Sequence, residues 1–409
     1  MHRILADRAK DKEMKDPIVG LSKELAQARE EGKLKINATK GMFFDDEGAF
    51  LAFPSVEKTL ASLSPMEKYP YAPTDGGQDY HETVKNWVLG AQREVLESYA
   101  YVEVVASAGG TGAISNTFSN FLDAGEAVLI PDIAWVYRNI GKEFGLASET
   151  YELFDESARF NIDDFKEKAD ALAHKQNRLL VVVNDPCHNP TGYTLSDEEW
   201  HHIMETINNL AEHVPVTLLH DIAYLDYDIR GHEAARRGFA RYKDLHENAM
   251  AIISFSASKT FSLYGIRTGG QIGIAKSKEA VRAFSEANQV TSRAKWSNPP
   301  RLGISLVKRL LADEGGTEEF KEELSRASAL LQSRGEAFMR YAEERGLPMH
   351  PYVGGFFVTI PIENPQAISE KLKEKGIFLV AMPGLIRISL SAVSATDIRP
   401  LIDAIAQSM

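Results

Sequence analysis

Cysteine is almost absent from this sequence. Its 409 residues include a single one, Cys187, so no disulfide can form within the chain and a reducing compartment is expected. Long apolar runs are missing as well, since an uninterrupted aliphatic stretch such as residues 179–183 is far too short to span a bilayer. No segment shows the basic, apolar and small-residue order of a signal peptide. These absences favour a cytoplasmic protein that does not enter a membrane.

A concentration of basic residues is also missing. The formal net charge is −12, and lysine and arginine are scattered along the chain, so nucleic acid is not an expected partner. A few local arginines can still make a pocket attractive to a small anion. A length of 409 residues, with 44% hydrophobic and 25% charged residues, predicts two or three globular domains.

The middle of the chain alternates short β-branched runs with amphipathic stretches. This alternation predicts an α/β fold with a doubly wound, mostly parallel sheet, in which ligands bind beyond the carboxyl ends of the strands. Ser196 and Glu199 have the spacing of a capping box at a helix start. The predicted strands are residues 101–106, 127–130, 178–183, 216–220 and 250–254, and the predicted helices between them include residues 112–121 and 196–212.

After residue 277 the pattern changes to long helices, and a β-containing segment follows them. We therefore expect a smaller, discontinuous α+β domain that also includes the N-terminal segment. The large domain is predicted over residues 49–310, and the small one over residues 1–48 and 311–409. The expected elements of the small domain are helices at residues 18–30, 317–344 and 396–407 and strands within residues 351–392.

The first segment with chemical meaning is a glycine-rich turn at residues 107–112, Ser-Ala-Gly-Gly-Thr-Gly. It joins a predicted strand to a predicted helix. Glycines let the backbone approach a phosphate closely, and free amides at a helix N-terminus point toward an anion. Taken alone, the segment is equally what a tight strand-to-helix turn requires.

The second segment, residues 184–192, reads Asn-Asp-Pro-Cys-His-Asn-Pro-Thr-Gly and follows a buried strand. Its composition also suits a loop chosen for turn geometry. The bond between Asn189 and Pro190 is a candidate for the cis form, as peptide bonds before proline can be. A side-chain amide fixed at this strand end could donate a hydrogen bond to a ring oxygen.

The third segment, residues 220–224, ends the next strand and carries Asp221 and Tyr224. A carboxylate in this position is often only a helix cap or a loop contact. Together, however, the two groups suit a heteroaromatic ligand: the carboxylate can keep a ring nitrogen protonated, and the phenol can donate to a ring oxygen.

The fourth segment, residues 256–261, reads Ser-Ala-Ser-Lys-Thr-Phe and follows another apolar strand. Most lysines are simply surface charges. Lys259 is instead flanked by hydroxyl residues and precedes Arg267, and an amine inside a cleft loses its proton more easily and can attack an aldehyde. Arg267 and Ser256 then suit a phosphate dianion.

The order of these motifs resembles a known family. Asn-Pro-Thr-Gly, Asp-x-x-Tyr, Ser-x-Ser-Lys and an arginine eight residues later are similar to the fold type I aminotransferases, in particular the aspartate and aromatic amino acid aminotransferase branch. The resemblance extends over nearly the whole chain from about residue 37, and motif order and structural context agree.

The resemblance implies a cofactor, pyridoxal phosphate, and a role for each matching residue. Lys259 would bind the cofactor as a Schiff base and later carry a proton between the substrate Cα and the cofactor C4′. Asp221 would pair with the pyridine nitrogen. The further implied contacts are Tyr224 and Asn189 at the 3-oxygen, Gly110, Thr111, Ser256 and Arg267 at the phosphate, Trp135 stacked on the ring, and Arg387 at the substrate α-carboxylate. An arginine within Ile-Arg-Ile could also be a solvated strand charge.

Two further matches imply a homodimer with shared active sites. Tyr71 resembles the family tyrosine that reaches the neighbouring subunit's phosphate. Arg293 resembles the arginine that crosses the interface to the distal carboxylate of a substrate. No metal is implied.

The sequence departs from the branch at two positions. Three residues after Trp135 the branch commonly has histidine, and this chain has Arg138, so the surroundings of Asp221 are expected to differ. Lys40, before Gly41, stands where the branch tends to carry an apolar residue on the substrate side. Both departures bear on the substrate more than on the cofactor.

The expected activity is transfer of an amino group from an L-amino acid, aspartate or aromatic, to a 2-oxo acid such as 2-oxoglutarate by a ping-pong mechanism. Two alternatives stay open at this point. The same cofactor supports lyase and decarboxylase reactions, because the bond that breaks depends on orientation. The other is a non-catalytic cofactor-binding sensor of the kind fused to DNA-binding domains. It is disfavoured because no basic N-terminal domain is appended, since the first 36 residues are too few to fold alone.

Overall fold

The computed structural model of the chain describes residue 4 and residues 17–409. Its strands are β1 Ile36–Asn37, β2 Tyr101–Ser107, β3 Ala127–Pro131, β4 Ala147–Tyr151, β5 Leu179–Asn184, β6 Val216–Asp221, β7 Ala249–Ser256, β8 Gly269–Ala275, β9 Phe357–Pro361, β10 Ile377–Phe378, β11 Val380–Met382 and β12 Leu385–Ser389. Its α-helices are α1 Pro17–Glu30, α2 Pro54–Ser62, α3 Pro65–Lys68, α4 Gln78–Leu89, α5 Gln92–Tyr99, α6 Gly109–Phe121, α7 Tyr137–Glu143, α8 Ile162–Gln176, α9 Asp197–Ala211, α10 His232–Arg237, α11 Ala257–Thr260, α12 Lys278–Lys295, α13 Arg301–Ala312, α14 Glu314–Glu344, α15 Pro365–Glu374 and α16 Ala395–Ala406. Short 3-10 helices lie at Leu225–Tyr227, Gly238–Asp244 and Leu390–Ala392.

The described residues form two compact units. The large unit comprises residues 50–333 and 351–356. The small unit comprises the described residues up to 49, together with residues 334–350 and 357–409. The domain bounds expected from the sequence stay a prediction, and residues 1–3 and 5–16 of the predicted small domain lie outside the described part of the chain.

The large unit is built on a sheet with the strand order β2-β8-β7-β6-β5-β3-β4, seven strands among the described residues. Strands β3 to β7 pair in parallel, while β8 runs antiparallel to both of its neighbours. The predicted doubly wound, mostly parallel α/β sheet is therefore confirmed. Strands β5 and β6 are buried along their whole length, as expected of parallel strands covered by helices on both faces.

Helix α9 shows how a local sequence signal fixes an element of this unit. The Ser196 side chain accepts a hydrogen bond from the Glu199 amide at 3.1 Å, and the Glu199 carboxylate accepts one from the Ser196 amide at 2.7 Å. The predicted capping box is thus present, and it satisfies backbone donors that the first helical turn leaves free. The Asn189–Pro190 bond is cis, as the sequence suggested.

The small unit contains a three-stranded antiparallel sheet of order β11-β12-β9 and a parallel pair of β1 with β10. The pairing of Ile36 with Ile377 joins the N-terminal segment to the C-terminal part of the chain. Leu21 and Ala28 of α1 pack in one core cluster with Phe378 and Val380. Strand β12 and the loop that follows β1 both belong to this unit.

Candidate active site

Four strands of the large unit bring the predicted motifs to one edge of the sheet. Asn184 at the end of β5 pairs with Asp221 at the end of β6. Ser107, which ends β2, and Ser256, which ends β7, both pair with Gly269 at the start of β8. Because β8 runs the opposite way, the carboxyl ends of β2, β5, β6 and β7 lie along the same edge, where ligands bind in such folds.

Lys259 lies on the short helix α11, directly after β7. The hydroxyl of Ser256 caps this helix by accepting a hydrogen bond from the Ser258 amide at 3.3 Å. Burial lowers the pKa of Lys259 to about 8, with further lowering by Arg267 and an opposing effect of Asp221. A substantial fraction of this amine is therefore neutral near physiological pH, which is the form that attacks a carbonyl.

The buried side chain of Asp226 fixes the helix that carries Lys259. The carboxylate of Asp226 accepts hydrogen bonds from Thr260 Oγ1 at 2.7 Å, from Arg236 at 2.5 Å and from Trp87 Nε1 at 3.2 Å. Burial alone would raise the pKa of Asp226, but Arg236 and His232 hold it well below its usual range. A charged, fully hydrogen-bonded carboxylate thus fixes the residue next to Lys259.

Asp221 is buried and hydrogen-bonded through both carboxylate oxygens. Oδ2 accepts from the hydroxyl of Tyr137 at 2.6 Å, and Oδ1 accepts from the amide of Ala223 at 3.2 Å. Burial raises the pKa of Asp221, against the hydrogen bond from Tyr137, which lowers it. Burial destabilises the charged form of this carboxylate, and a protonated ring nitrogen beside it would stabilise that form.

Tyr137 is one of two residues at this site whose role the sequence reasoning missed. Arg138, at the position where the branch commonly has histidine, is exposed, whereas Tyr137 is fully buried. In this structure the side chain that contacts Asp221 is therefore Tyr137, and the expected difference from the branch stays a prediction. The sequence feature that could have indicated Tyr137 is an aromatic residue two positions after Trp135, in a segment that follows a buried strand.

The glycine-rich turn and Arg267 approach each other closely. Gly109 has a φ of 71°, and a Cβ on it would lie 2.7 Å from Arg267 Nη2. Arg267 Nη1 donates to the Ser258 hydroxyl at 3.1 Å and to the Tyr264 carbonyl at 2.8 Å. This arrangement leaves an exposed guanidinium beside the free amides of the first turn of α6, a combination that suits a phosphate.

Three further predicted cofactor contacts, Gly110, Thr111 and Tyr224, also lie at this edge. Gly110 and Thr111 lie in the first turn of α6, and a Cβ on Gly110 would be 3.3 Å from the Ser256 Cβ. Tyr224 is buried, with its ring centroid 5.5 Å from Lys259 Nζ.

The Asn184 side chain links the second and third motifs by hydrogen bonds. This role was not foreseen from the sequence. Its side chain accepts from the Asn189 amide at 2.7 Å and donates to the Asp221 carbonyl at 2.8 Å. The buried Asn189 Oδ1 has no hydrogen-bond partner among the described residues. Part of this side-chain amide is thus available to a ligand.

The predicted substrate residues Arg387, Lys40 and Gly41 lie together in the small unit. Arg387 on β12 is only 6% exposed, and it donates to the Thr39 carbonyl at 3.2 Å, so it is not a solvated strand charge. A Cβ on Gly41 would lie 3.4 Å from the Phe357 ring, above which the Arg387 guanidinium lies at 4.4 Å. Burial lowers the pKa of Lys40, and Arg29 lowers it further.

Tyr71 and Arg293, the predicted interface residues, are both exposed in the large unit. Tyr71 exposes 85% of its surface, and Arg293 donates to the side chains of Ser297 and Asn298 at 2.8 and 3.0 Å. The Asn298 side chain in turn donates to the Ala72 carbonyl at 2.8 Å, so the two segments are joined.

The described residues contain neither a cluster of metal-binding side chains nor a helix that could span a membrane. Across the described part of the chain, no group of three or more histidine, cysteine, aspartate or glutamate side chains could hold a metal ion. None of the helices described is both long and apolar enough to cross a membrane.

Comparison with known proteins identifies the family. The sequence profile described as aminotransferase class I and II matches residues 36–405. The chain belongs to this family. A solved aminotransferase from Anaerococcus prevotii is 31% identical to this aminotransferase, with a TM-score of 0.93 over 99% of this chain and 98% of that one. The predicted family and fold are thereby confirmed.

Two curated relatives represent the branch predicted from the motifs. The aspartate aminotransferase of Pseudomonas aeruginosa is 28% identical over 406 residues, 96% of this chain and 97% of that protein. The aromatic-amino-acid aminotransferase of Escherichia coli is 26% identical over 377 residues, 90% of this chain and 91% of that protein. As a class I and II aminotransferase, the protein is a transaminase with pyridoxal phosphate as its cofactor, as predicted.

The residues present fit this cofactor. The edge offers an amine of lowered pKa, Lys259, and a buried carboxylate, Asp221, for a protonated ring nitrogen. It also offers a turn at Gly109 that a Cβ would fill. These are the groups that a pyridine ring with a phosphate arm requires.

Proposed function

We propose that this aminotransferase moves the amino group of an L-amino acid, aspartate or an aromatic one, to a 2-oxo acid, with 2-oxoglutarate as the acceptor, in a ping-pong sequence. The observation that carries the proposal is the placement of Lys259, with a pKa lowered to about 8, at the strand-end edge with Asp221 and Tyr224. The cofactor, when bound, supplies an aldehyde and an electron-accepting ring.

The proposed roles at the ring follow from the charges around it. Lys259 would hold the cofactor and would also move a proton between the substrate Cα and the cofactor C4′, for which a pKa close to the working pH is suited. Asp221 holds the proton at the ring nitrogen. Tyr224 and Asn189 bind the ring oxygen, and Trp135 stacks on the ring. The proximity of Tyr224 to Lys259 supports this arrangement, since the Nζ lies 5.5 Å from the phenol ring centroid.

The proposed phosphate site is formed by Gly110, Thr111, Ser256 and Arg267. A dianion there would receive amide hydrogen bonds from the first turn of α6 and paired donors from the guanidinium. Arg267 is supported by its hydrogen bond to Ser258, which fixes the guanidinium next to the turn.

We assign the substrate α-carboxylate to Arg387. Its planar guanidinium can pair with a carboxylate through two parallel hydrogen bonds, which gives this residue the geometry that the assignment requires. Gly41 leaves room on the adjacent loop, since even a Cβ there would already contact Phe357. Lys40, whose Nζ lies 4.4 Å from the Phe44 ring centroid, adds positive charge to the same loop.

We propose that the active species is a homodimer with shared sites. Tyr71 and Arg293 would each act at the partner's site, on the phosphate and on the distal carboxylate of the substrate. The exposed aromatic and apolar surface near Tyr71 supports this, because Tyr69 and Met66 expose 80% and 71% of their surface. Arg293 and Arg387 would then favour dicarboxylates, among which aspartate is our preferred donor.

The lone thiol supports the proposed cytoplasmic location. Cys187 is buried, and burial raises the pKa of its thiol well above the usual range, so the residue is a packing group without redox activity. A protein with this single cysteine needs no oxidising compartment.

The proposed reaction can be tested one half at a time. The purified holoenzyme would be mixed with L-aspartate, L-glutamate or L-phenylalanine, and the 2-oxo acid and aminated cofactor would be quantified by mass spectrometry. We expect equal amounts of both products, and regeneration of the original cofactor by 2-oxoglutarate. The same panel with Arg293→Leu should show a loss of roughly 30-fold or more in kcat/KM for the dicarboxylates and a much smaller loss for phenylalanine.

Each alternative outcome has its own signature. Release of ammonia or carbon dioxide without an aminated cofactor would identify a lyase or decarboxylase. Binding of the amino acids with no product would identify a sensor. Equal losses for all three substrates in Arg293→Leu would mean that Arg293 supports the protein and does not contact the substrate.

A further inference from the structure

Tyr137 combines an apolar position with one directed polar contact. It begins α7 and is fully buried in the core cluster that also contains Ile130 of β3 and Leu219 of β6. Its hydroxyl donates to Asp221 Oδ2 at 2.6 Å. A tyrosine this deep in a core normally places its hydroxyl on an acceptor, and here the acceptor is the carboxylate assigned to the cofactor.

The same residue also supports the ring-stacking side chain. The rings of Trp135 and Tyr137 meet edge to face, with centroids 5.5 Å apart and planes at 78°. The Tyr137 amide donates to the Trp135 carbonyl at 2.7 Å. Tyr137 thus contacts two groups that we place on the ring, one at the nitrogen and one on the face.

The phenol is a donor that keeps its proton. Burial raises the pKa of Tyr137 well above the ordinary value, and the charge of Asp221 raises it further. Its hydrogen bond to a carboxylate favours the charged form of that carboxylate, in opposition to the effect of burial on Asp221. The branch commonly places histidine at the next position, where this chain has the exposed Arg138.

We propose that Tyr137 is a positioning residue that keeps Asp221 ionised and aimed at the cofactor ring nitrogen. The proposal rests on the role assigned to Asp221 under the proposed function. It extends that role to a residue that does not itself contact the substrate. Without the phenol, the proton shared by ring nitrogen and carboxylate should move toward the carboxylate, because the charged carboxylate loses its strongest donor.

The test compares Tyr137→Phe with Tyr151→Phe. Tyr151 is a matched control, because it is equally buried and its hydroxyl donates to a backbone carbonyl, that of Val182, at 3.1 Å. Both enzymes would be reconstituted with cofactor labelled with ¹⁵N in the ring, and the ¹⁵N chemical shift and the cofactor dissociation constant would be measured. We expect Tyr137→Phe alone to shift the signal toward the unprotonated nitrogen and to weaken cofactor binding on the order of 10- to 100-fold, the range for a hydrogen bond to a charged group.

A double-mutant cycle keeps the test decisive if Tyr137→Phe is also less stable. When Tyr137 acts through Asp221, adding Tyr137→Phe to Asp221→Asn should change neither the ¹⁵N signal nor the dissociation constant further. Equal behaviour of Tyr137→Phe and Tyr151→Phe, or full additivity in the cycle, would overturn the proposal. If Asp221→Asn itself leaves the ring nitrogen protonated, the role of Asp221 fails first, and the two failures are thereby told apart.

Discussion

At the scale of single residues, the chemistry of this aminotransferase depends on charges that burial makes unstable. Lys259 loses affinity for its proton through burial, and Asp221 gains affinity for one. The neutral amine would react with the carbonyl carbon that we assign to it. The charged carboxylate would be stabilised by the protonated ring nitrogen that we assign to it. The site is therefore set for the cofactor before it binds.

This gives a pH prediction with a definite sign. Only the neutral amine reacts, so the rate at which the apoenzyme combines with pyridoxal, which lacks the phosphate, should rise with pH and level off above a midpoint of about 8. Asp221 favours the charged amine, and Arg267 disfavours it. Asp221→Asn should therefore move the midpoint down, and Arg267→Gln should move it up. Stopped-flow absorbance across pH 6 to 10 measures both, and a wild-type midpoint near the ordinary 10.5 of lysine would contradict the account.

At the scale of elements, the turn between β2 and α6 is fixed by contact as well as by backbone conformation. Gly109 has a φ of 71°, and a Cβ there would lie 2.7 Å from Arg267 Nη2. Gly125 has a similar φ of 95°, but a Cβ there would meet nothing within 4 Å. Comparing substitutions at these two glycines therefore distinguishes the effect of backbone strain from the effect of crowding at the proposed phosphate site.

Replacing each glycine by alanine should therefore have different consequences. Gly109→Ala and Gly125→Ala should each lower the free energy of unfolding by about 1 to 2 kcal/mol, the cost of a left-handed conformation with a Cβ. Only Gly109→Ala should also weaken the binding of pyridoxal phosphate, because it displaces Arg267. Chemical denaturation and equilibrium dialysis check the two parts. Equal cofactor affinity in both variants would remove Gly109 and Arg267 from the phosphate site.

Much of the fold could be predicted from the sequence, because the parallel strands are short apolar runs with clear ends. Strand β8 could not, since Gly269, Gly270 and Gly273 interrupt the β-branched pattern. The structure explains these glycines by close packing. A Cβ on Gly269 would be 2.4 Å from the Phe255 carbonyl, and one on Gly273 would be 2.7 Å from the Phe284 ring.

For the candidate site, the sequence predicts which residues lie near each other more readily than it predicts their contacts. Residues that follow strands, such as Asp221 and Lys259, can be found from position alone, because strand ends share an edge. Tyr137 and Asn184 act on Asp221 from segments 84 and 37 residues away. Such contacts depend on which helix packs against which strand, and no local pattern encodes that.

At the scale of the whole molecule, the account predicts that two inactive variants complement each other. In a mixture of Lys259→Ala and Arg293→Ala subunits, each heterodimer has one site that keeps both residues. After subunit exchange, roughly a quarter of the wild-type activity with aspartate should return. The control is a mixture of Lys259→Ala with Asp221→Ala, whose residues share one site and should not complement. Failure of the first mixture, with exchange verified by mass spectrometry, would contradict shared sites.

The central claim is that Lys259 is the residue that carries the cofactor, and its most direct test is chemical labelling. The holoenzyme would be reduced with borohydride, digested, and mapped by mass spectrometry, with Lys259→Ala treated in parallel. The account predicts the reduced cofactor on the peptide that contains Lys259, and no label in the variant. A label on any other lysine of the wild-type protein would contradict it.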